Sequence, residues 1–332
     1  MRSKVMERSS LLLLFCGLLF LSRGFAQGPN IVNLTIRTQN SVQYRDDLGD
    51  PARVGTQPGV IPWRTTANFY PLVGIADIAE INSKPARGMI VLRGLGFSVT
   101  RNAQPGQATA DSPGRIAVWD VHIDILDDQG RPVGSIAVNG IGGGPQAPGL
   151  PPGFGTHSVT GGSGAFLGAK GQMMGTGPSR LASMAEDPAN RQINGGTSTM
   201  WVIQLIPLLR PEIVTMSGTP AIFHDDFAPV SAARPARAGE LLIANVTGLG
   251  AVRGQPTLGD LFPMSPIVEV ASPVEVKVNG REAEVVNKSG WPGTSDRYRV
   301  DFRIPQGIAP GMAAVQLTAA WIPGQAVDIP VR

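Results

Sequence analysis

Val159-Thr160-Gly161-Gly162-Ser163-Gly164-Ala165-Phe166-Leu167-Gly168-Ala169-Lys170-Gly171 sets glycines at both ends of a short apolar segment. Glycine tolerates positive φ and admits close backbone approach, so this spacing predicts a tight turn feeding a strand against a crowded wall. The chain around it consists of short Val/Ile/Leu runs separated by Gly, Pro and Asp-rich turns. Gly and Pro supply about a fifth of all residues, above the usual level of about 12%. That pattern predicts an all-β protein rich in turns.

Ile31-Val32-Asn33-Leu34-Thr35-Ile36 alternates and opens a first strand within 28–45. Further strands are expected near 68–82, 87–99, 115–126, 132–140, 156–160, 165–173 and 197–206. Asp127-Asp128-Gln129-Gly130 reads as a hairpin loop, with Gly130 at the positive-φ position. Residues 46–66 are turn-rich and read as a surface wrap. Gly140 to Gly155 has neither charge nor periodicity and reads as a surface insertion or a flap over a barrel mouth. A short helix is expected within 178–190, with Ser179 capping Arg180-Leu181-Ala182.

The opening run resembles the V-x-G-G-T-G-x-F-x-G-A-x-G signature of dirigent and allene oxide cyclase-like β-barrels. The matching positions are Gly161, Gly162, Gly164, Phe166, Gly168 and Gly171, and Ser163 stands where the family usually has Thr. The resemblance implies a small antiparallel barrel of about eight strands over 27–206, with a lumen able to hold a ligand. After Pro207 to Pro211, Gly239-Glu240-Leu241-Leu242 leading to Thr247-Gly248-Leu249-Gly250 begins a second unit. Val274-Glu275-Val276-Lys277-Val278-Asn279-Gly280 and Tyr298-Arg299-Val300-Asp301-Phe302-Arg303-Ile304-Pro305 follow. This order is similar to the C-terminal domain of many secreted acidobacterial proteins, a family without assigned activity. That likeness implies an immunoglobulin-like β-sandwich over 208–332 and a bacterial source.

Residues 1–26 read as a signal peptide. Arg2, Lys4 and Arg8 are basic, Leu11 to Leu21 is apolar, and Gly24-Phe25-Ala26 is a small-x-small cleavage site. The apolar run is shorter than the about twenty residues of a membrane span, and no other span is expected. A lipid anchor on Cys16 is the rival reading. The mature chain is expected in the secreted or periplasmic space. The whole chain has 28 basic and 25 acidic side chains, and the first 26 residues hold four basic and one acidic, so the remainder is neutral. No basic stripe interleaves with aromatics, which argues against nucleic acid. The single cysteine lies in the leader, so disulfides, thiolate metal sites and cysteine nucleophiles are excluded from the mature chain.

Gly162-Ser163-Gly164 with Gly168, and Gly248-Leu249-Gly250 with Gly254, run into β-like sequence, not into the helix a dinucleotide loop requires. Asp120, His122 and Asp124 alternate with Trp119, Val121, Ile123 and Ile125, which places the three polar groups on one face of a strand. On a lumen-facing strand they would serve as acid and base, or as ligands to a metal. On a solvated outer face they only meet water, and the apolar side fills the barrel. No second histidine lies near in sequence, so no metal site is assigned and no cofactor is expected. Asp77 and Glu80 are further candidates, since a spacing of three sends them to opposite faces of a regular strand. A lone carboxyl buried in an apolar barrel has its pKa raised and suits general-acid work. His157 and His224 lie in turn-rich sequence without evident partners.

Three functions remain open from the residues. The first is a barrel that binds an apolar or aromatic ligand and steers its coupling or cyclisation by confinement. The second is a non-enzymatic extracellular interaction module with a cell-surface partner or a homo-oligomeric assembly. The third is an isomerase or cyclase working through the acids named above.

Overall fold

The computed structural model describes residues 31–45, 68–98, 115–142, 156–254 and 259–332. Residues 1–26, read above as a leader, with Cys16, the 46–66 stretch and most of the 140–155 stretch lie outside them. The protein is all-β. Eight strands form the first sheet's closed ring: β1 (Val32–Arg45), β2 (Asn68–Ile81), β3 (Arg87–Ser98), β4 (Arg115–Leu126), β5 (Pro132–Gly142), β6 (Thr156–Gly164), β7 (Lys170–Thr176) and β8 (Thr197–Ile206). Each pairs antiparallel with its neighbour, β8 returns to β1, and β1 pairs with β2 to close the barrel. Closure leaves no long unpaired edge among these strands, which removes the hazard an open sheet carries.

The barrel interior follows from simple alternation. Trp119, Val121, Ile123 and Ile125 of β4 point inward and are buried, as do Leu34 and Ile36 of β1 and Ile136 and Val138 of β5. Two β-bulges modify the pattern. In β1 an extra residue near Asn40 (φ 53°) shifts the register between Thr38 and Ser41. In β2 the register shifts between Ile78 and Glu80.

The glycine run builds the barrel floor. Strand β6 ends at Gly164, whose φ of 60° starts the turn, and residues 165–168 fold back under the sheet. A Cβ on Gly162 would lie 2.3 Å from the Phe166 carbonyl oxygen and 2.7 Å from that of Ser135, so only glycine admits the returning chain. The turn inserts Phe166, 1% exposed, into the core. The run is therefore a strand followed by a turn, and the next strand starts at Lys170, five residues later than 165 as read from the sequence. The helix expected within 178–190 is also replaced. Arg180–Ala182 pairs parallel to Val42–Tyr44 of β1, and the helical piece is a 3-10 turn, Pro188–Arg191, capped by Asp187.

A second curled sheet follows, with β9 (Leu241–Thr247), β10 (Val274–Val278), β11 (Arg281–Gly290), β12 (Tyr298–Arg303), β13 (Gly311–Ala319) and β14 (Val327–Val331). Hydrogen bonding runs β9-β12-β11-β10-β13-β14 without a break, and the sheet wraps its own core around Val276, Val300, Phe302 and Leu317. Both sheets belong to one compact unit, Val32–Arg332. The hairpin tip after β13 places Ala320, Trp321 and Ile322 in the barrel's own hydrophobic core. Ala320 and Trp321 both take positive φ, 47° and 61°. Ion pairs ring this junction: Lys84 to Glu275 at 2.5 Å, Arg253 to Asp127 at 3.2 Å and Arg131 to Glu269 at 3.6 Å.

Candidate functional site

The two ends of the barrel differ in chemistry. At the floor the turns 82–86, 127–131 and 165–169 are short, and the lumen is filled by Ile36, Ile90, Ile123, Ile136 and Phe166. At the opposite end, the rim, strands β1 and β2, β3 and β4, and β5 and β6 are joined by the long connections 46–67, 99–114 and 143–155. There the inward positions turn polar and aromatic. Beyond its bulge β1 directs Ser41, Gln43 and Arg45 inward, all buried. Thr38 and Thr199 face each other with their hydroxyl oxygens 2.5 Å apart, and the Trp201 indole N–H donates to Thr199 Oγ1 at 3.2 Å.

Glycines make room for the large rings. A Cβ on Gly175 would lie 2.5 Å from the Trp201 ring, and one on Gly94 would lie 2.8 Å from Trp119 Cδ1. His157 completes the group. It is fully buried, its ring centroid is 5.2 Å from that of Trp119, and neither of its ring nitrogens has a hydrogen-bond partner among the described residues. Burial pushes the His157 imidazole below its ordinary range; a weak contact with the Met173 backbone opposes this and does not reverse it. Beyond that Met173 contact neither nitrogen makes a hydrogen bond of normal geometry, and each buried unsatisfied group costs about 1–3 kcal/mol.

The acids singled out from the sequence lie elsewhere. Asp120, His122 and Asp124 occupy the outer face of β4, each with more than half of its side chain exposed. His122 Nε2 is 3.0 Å from Asp124 Oδ1, and Asp120 meets Arg93 at 3.4 Å and Asn139. Asp77 and Glu80 do not take opposite faces, because the β2 bulge between Ile78 and Glu80 returns both to the outside. Glu80 pairs with Arg37. Asp77 accepts hydrogen bonds from Asn40 (2.9 Å), Gln192 (3.2 Å) and Arg191, and so pins the 178–196 segment over Val42 and Tyr44. Burial raises the Asp77 carboxyl, but these donors outweigh it and hold the group below the ordinary carboxylate range, the reverse of a buried general acid. Ser163, at the Thr position of the signature, is exposed on the outer face and shares a 2.7 Å hydrogen bond with Ser135.

No group of three or more His, Cys, Asp or Glu side chains is clustered for a metal among the described residues. His224 is a structural residue beside the second sheet, with Nδ1 2.5 Å from Glu240 Oε1 and Nε2 donating to the Arg234 carbonyl at 3.1 Å. A cleft of about 380 Å³ lies beside Asp127, Arg131, Glu269 and Lys288. Its charges pair with one another, so it is the clasp between the sheets. Neither glycine pattern is followed by a nucleotide-binding helix among the described residues, and no helix there is long and apolar enough to cross a membrane.

Sequence reasoning left His157 without a role. The signal was present: His157 and Val159 alternate with Ser158 and Thr160, and this pattern puts the imidazole on the Val159 side of the strand. No family model, curated protein or solved structure matches the chain.

Proposed function

We propose that this chain is an extracytoplasmic small-molecule-binding protein whose barrel takes an apolar or aromatic ligand at the rim end of its lumen. The proposal includes the leader read in residues 1–26, the dirigent and allene oxide cyclase-like character of the barrel and the immunoglobulin-like character of the second unit. The observation that carries it is the confinement of Trp119, Trp201, Gln43, Arg45 and the Thr38–Thr199 pair to one end of a barrel whose other end is plugged. Ligand pockets combine apolar and aromatic walls with a few placed polar groups, and the rim has that composition. Because the candidate acids stand on the outer face, the reading favours confinement over acid–base chemistry.

Native mass spectrometry of the protein purified from its own culture fluid tests the proposal. An organic adduct, released on denaturation and lost in Trp201→Ala, is the expected result. No adduct, together with unchanged tryptophan emission across a panel of aromatic and lipid compounds, would reject it. A second reading, the extracellular interaction module, draws on the loop Leu261–Ile267. Leu261, Met264 and Ile267 there are 66%, 75% and 55% exposed. Retention of the intact protein on envelope or polysaccharide, abolished by Met264→Asp, is its test.

A further inference from the structure

We propose that His157 and Met173 form a binding site for a soft monovalent cation, Cu(I) or its analogue Ag(I), inside the barrel beside the ring of Trp119. The two residues stand directly opposite each other on adjacent antiparallel strands, β6 and β7. Both are 0% exposed, and Met173 belongs to the barrel core, so both side chains face the lumen. Directly opposed side chains on one face have Cβ atoms about 4.5–5.5 Å apart, within reach of a shared ion.

The imidazole nitrogens are the reason to look for an occupant. Buried polar groups in folded proteins are nearly always satisfied, and here neither ring nitrogen has a hydrogen bond of normal geometry among the described residues, the Met173 backbone offering only a weak contact. The ring has no accessible surface, so bulk solvent does not satisfy it. An ion held between two opposed side chains would supply the missing partner.

The donor set selects the ion. A neutral imidazole nitrogen and a thioether sulfur are soft, uncharged ligands, a combination that suits Cu(I). Zinc and other divalent ions would bring two charges into a lumen whose described residues offer no carboxylate or thiolate to offset them. No carboxylate faces inward from the barrel strands among the described residues, and the mature chain has no thiolate. A single charge is easier to bury, and the Trp119 ring adds cation–π attraction at short range. This site stands apart from the organic-ligand reading, and neither depends on the other.

The test uses the untagged mature protein with ¹⁵N-labelled histidine, in which three imidazoles give three sets of resonances. Ag(I) is titrated first. Cu(I) is then titrated under anaerobic, reducing conditions against a chromophoric Cu(I) chelator. The expected result is one tight equivalent that shifts only the His157 resonances. Loss of even an outer-shell partner weakens metal sites about 10–100-fold, so His157→Leu should weaken binding at least about 100-fold and Met173→Leu about 10-fold or more. Zn(II) should leave the His157 resonances in place. Unmoved His157 signals at two equivalents of Ag(I), or Cu(I) affinity unchanged in Met173→Leu, would overturn the proposal. Met173→Leu conserves volume and keeps the test decisive if His157→Leu fails to fold. A protein that binds silver but no organic compound would refute the proposed function and leave this site standing, and the converse result would do the opposite.

Discussion

Trp321 offers the sharpest test of how the barrel is held together. Its indole is 7% exposed and lies in the barrel's hydrophobic core, although the residue belongs to the hairpin that follows β13 of the second sheet. Removing a buried aromatic ring costs about 3–5 kcal/mol, because the lost contacts leave a cavity. Trp321→Ala should therefore lower stability by that amount and Tm by roughly 10 °C. The backbone adds a second and more specific expectation. Trp321 has φ 61°, a left-handed conformation that costs a non-glycine residue about 1–2 kcal/mol. Trp321→Gly loses the same ring but relieves that strain, so it should be more stable than Trp321→Ala by about 1 kcal/mol, even though glycine loses more backbone entropy on folding. Urea unfolding followed by far-UV circular dichroism measures both variants. A loss below about 1 kcal/mol in Trp321→Ala would refute the packing argument. An alanine variant more stable than the glycine variant would refute the conformational one.

Gly162→Ala should prevent the turn under β6 from closing, since its Cβ would sit 2.3 Å from a backbone oxygen; the expected cost is about 3 kcal/mol or more, read from the unfolding midpoint. His157 is held neutral by burial, so the unfolded chain binds its proton first as pH falls. Stability is therefore greatest above about pH 6.5 and falls on acidification, so wild type should lose stability relative to His157→Leu between pH 7.5 and 5 in metal-free thermal melts. Burial raises the Asp127 carboxyl, but the Arg131 backbone and guanidinium, with Arg253, hold it below the ordinary range. Asp127→Asn should lose about 3 kcal/mol at pH 7, and the deficit should shrink steadily as pH falls below about 3.9 toward the lower folded value; a deficit as large at pH 2.5 as at pH 7 would contradict the ion-pair account.

Much of the barrel was legible because alternation is a local signal. Trp119 to Ile125 reads as one buried and one wet face, and the structure places both as the alternation requires. Seven of the eight barrel strands start within a few residues of their expected positions for the same reason. The bulges were not legible. A single extra residue near Asn40, or between Ile78 and Glu80, leaves composition unchanged yet reverses which side chains face inward. That is why Asp77 and Glu80 share a face, and why β1 ends in inward polar groups. Arg180–Ala182 looked helical because its partner, β1, is remote in sequence. The His157–Met173 pair was invisible for a related reason: its members are joined only by strand pairing, while spacing rules look along one strand.

The plug hairpin also orders events in time. Strand β8 can close the barrel as soon as Ile206 has left the ribosome, yet the last side chains of its floor, Ala320 to Ile322, arrive more than a hundred residues later. Until then the emerging chain carries a closed ring whose apolar base is only partly covered, the kind of surface on which holding chaperones act. A premature stop anywhere between these points would leave the ring complete and part of its base bare.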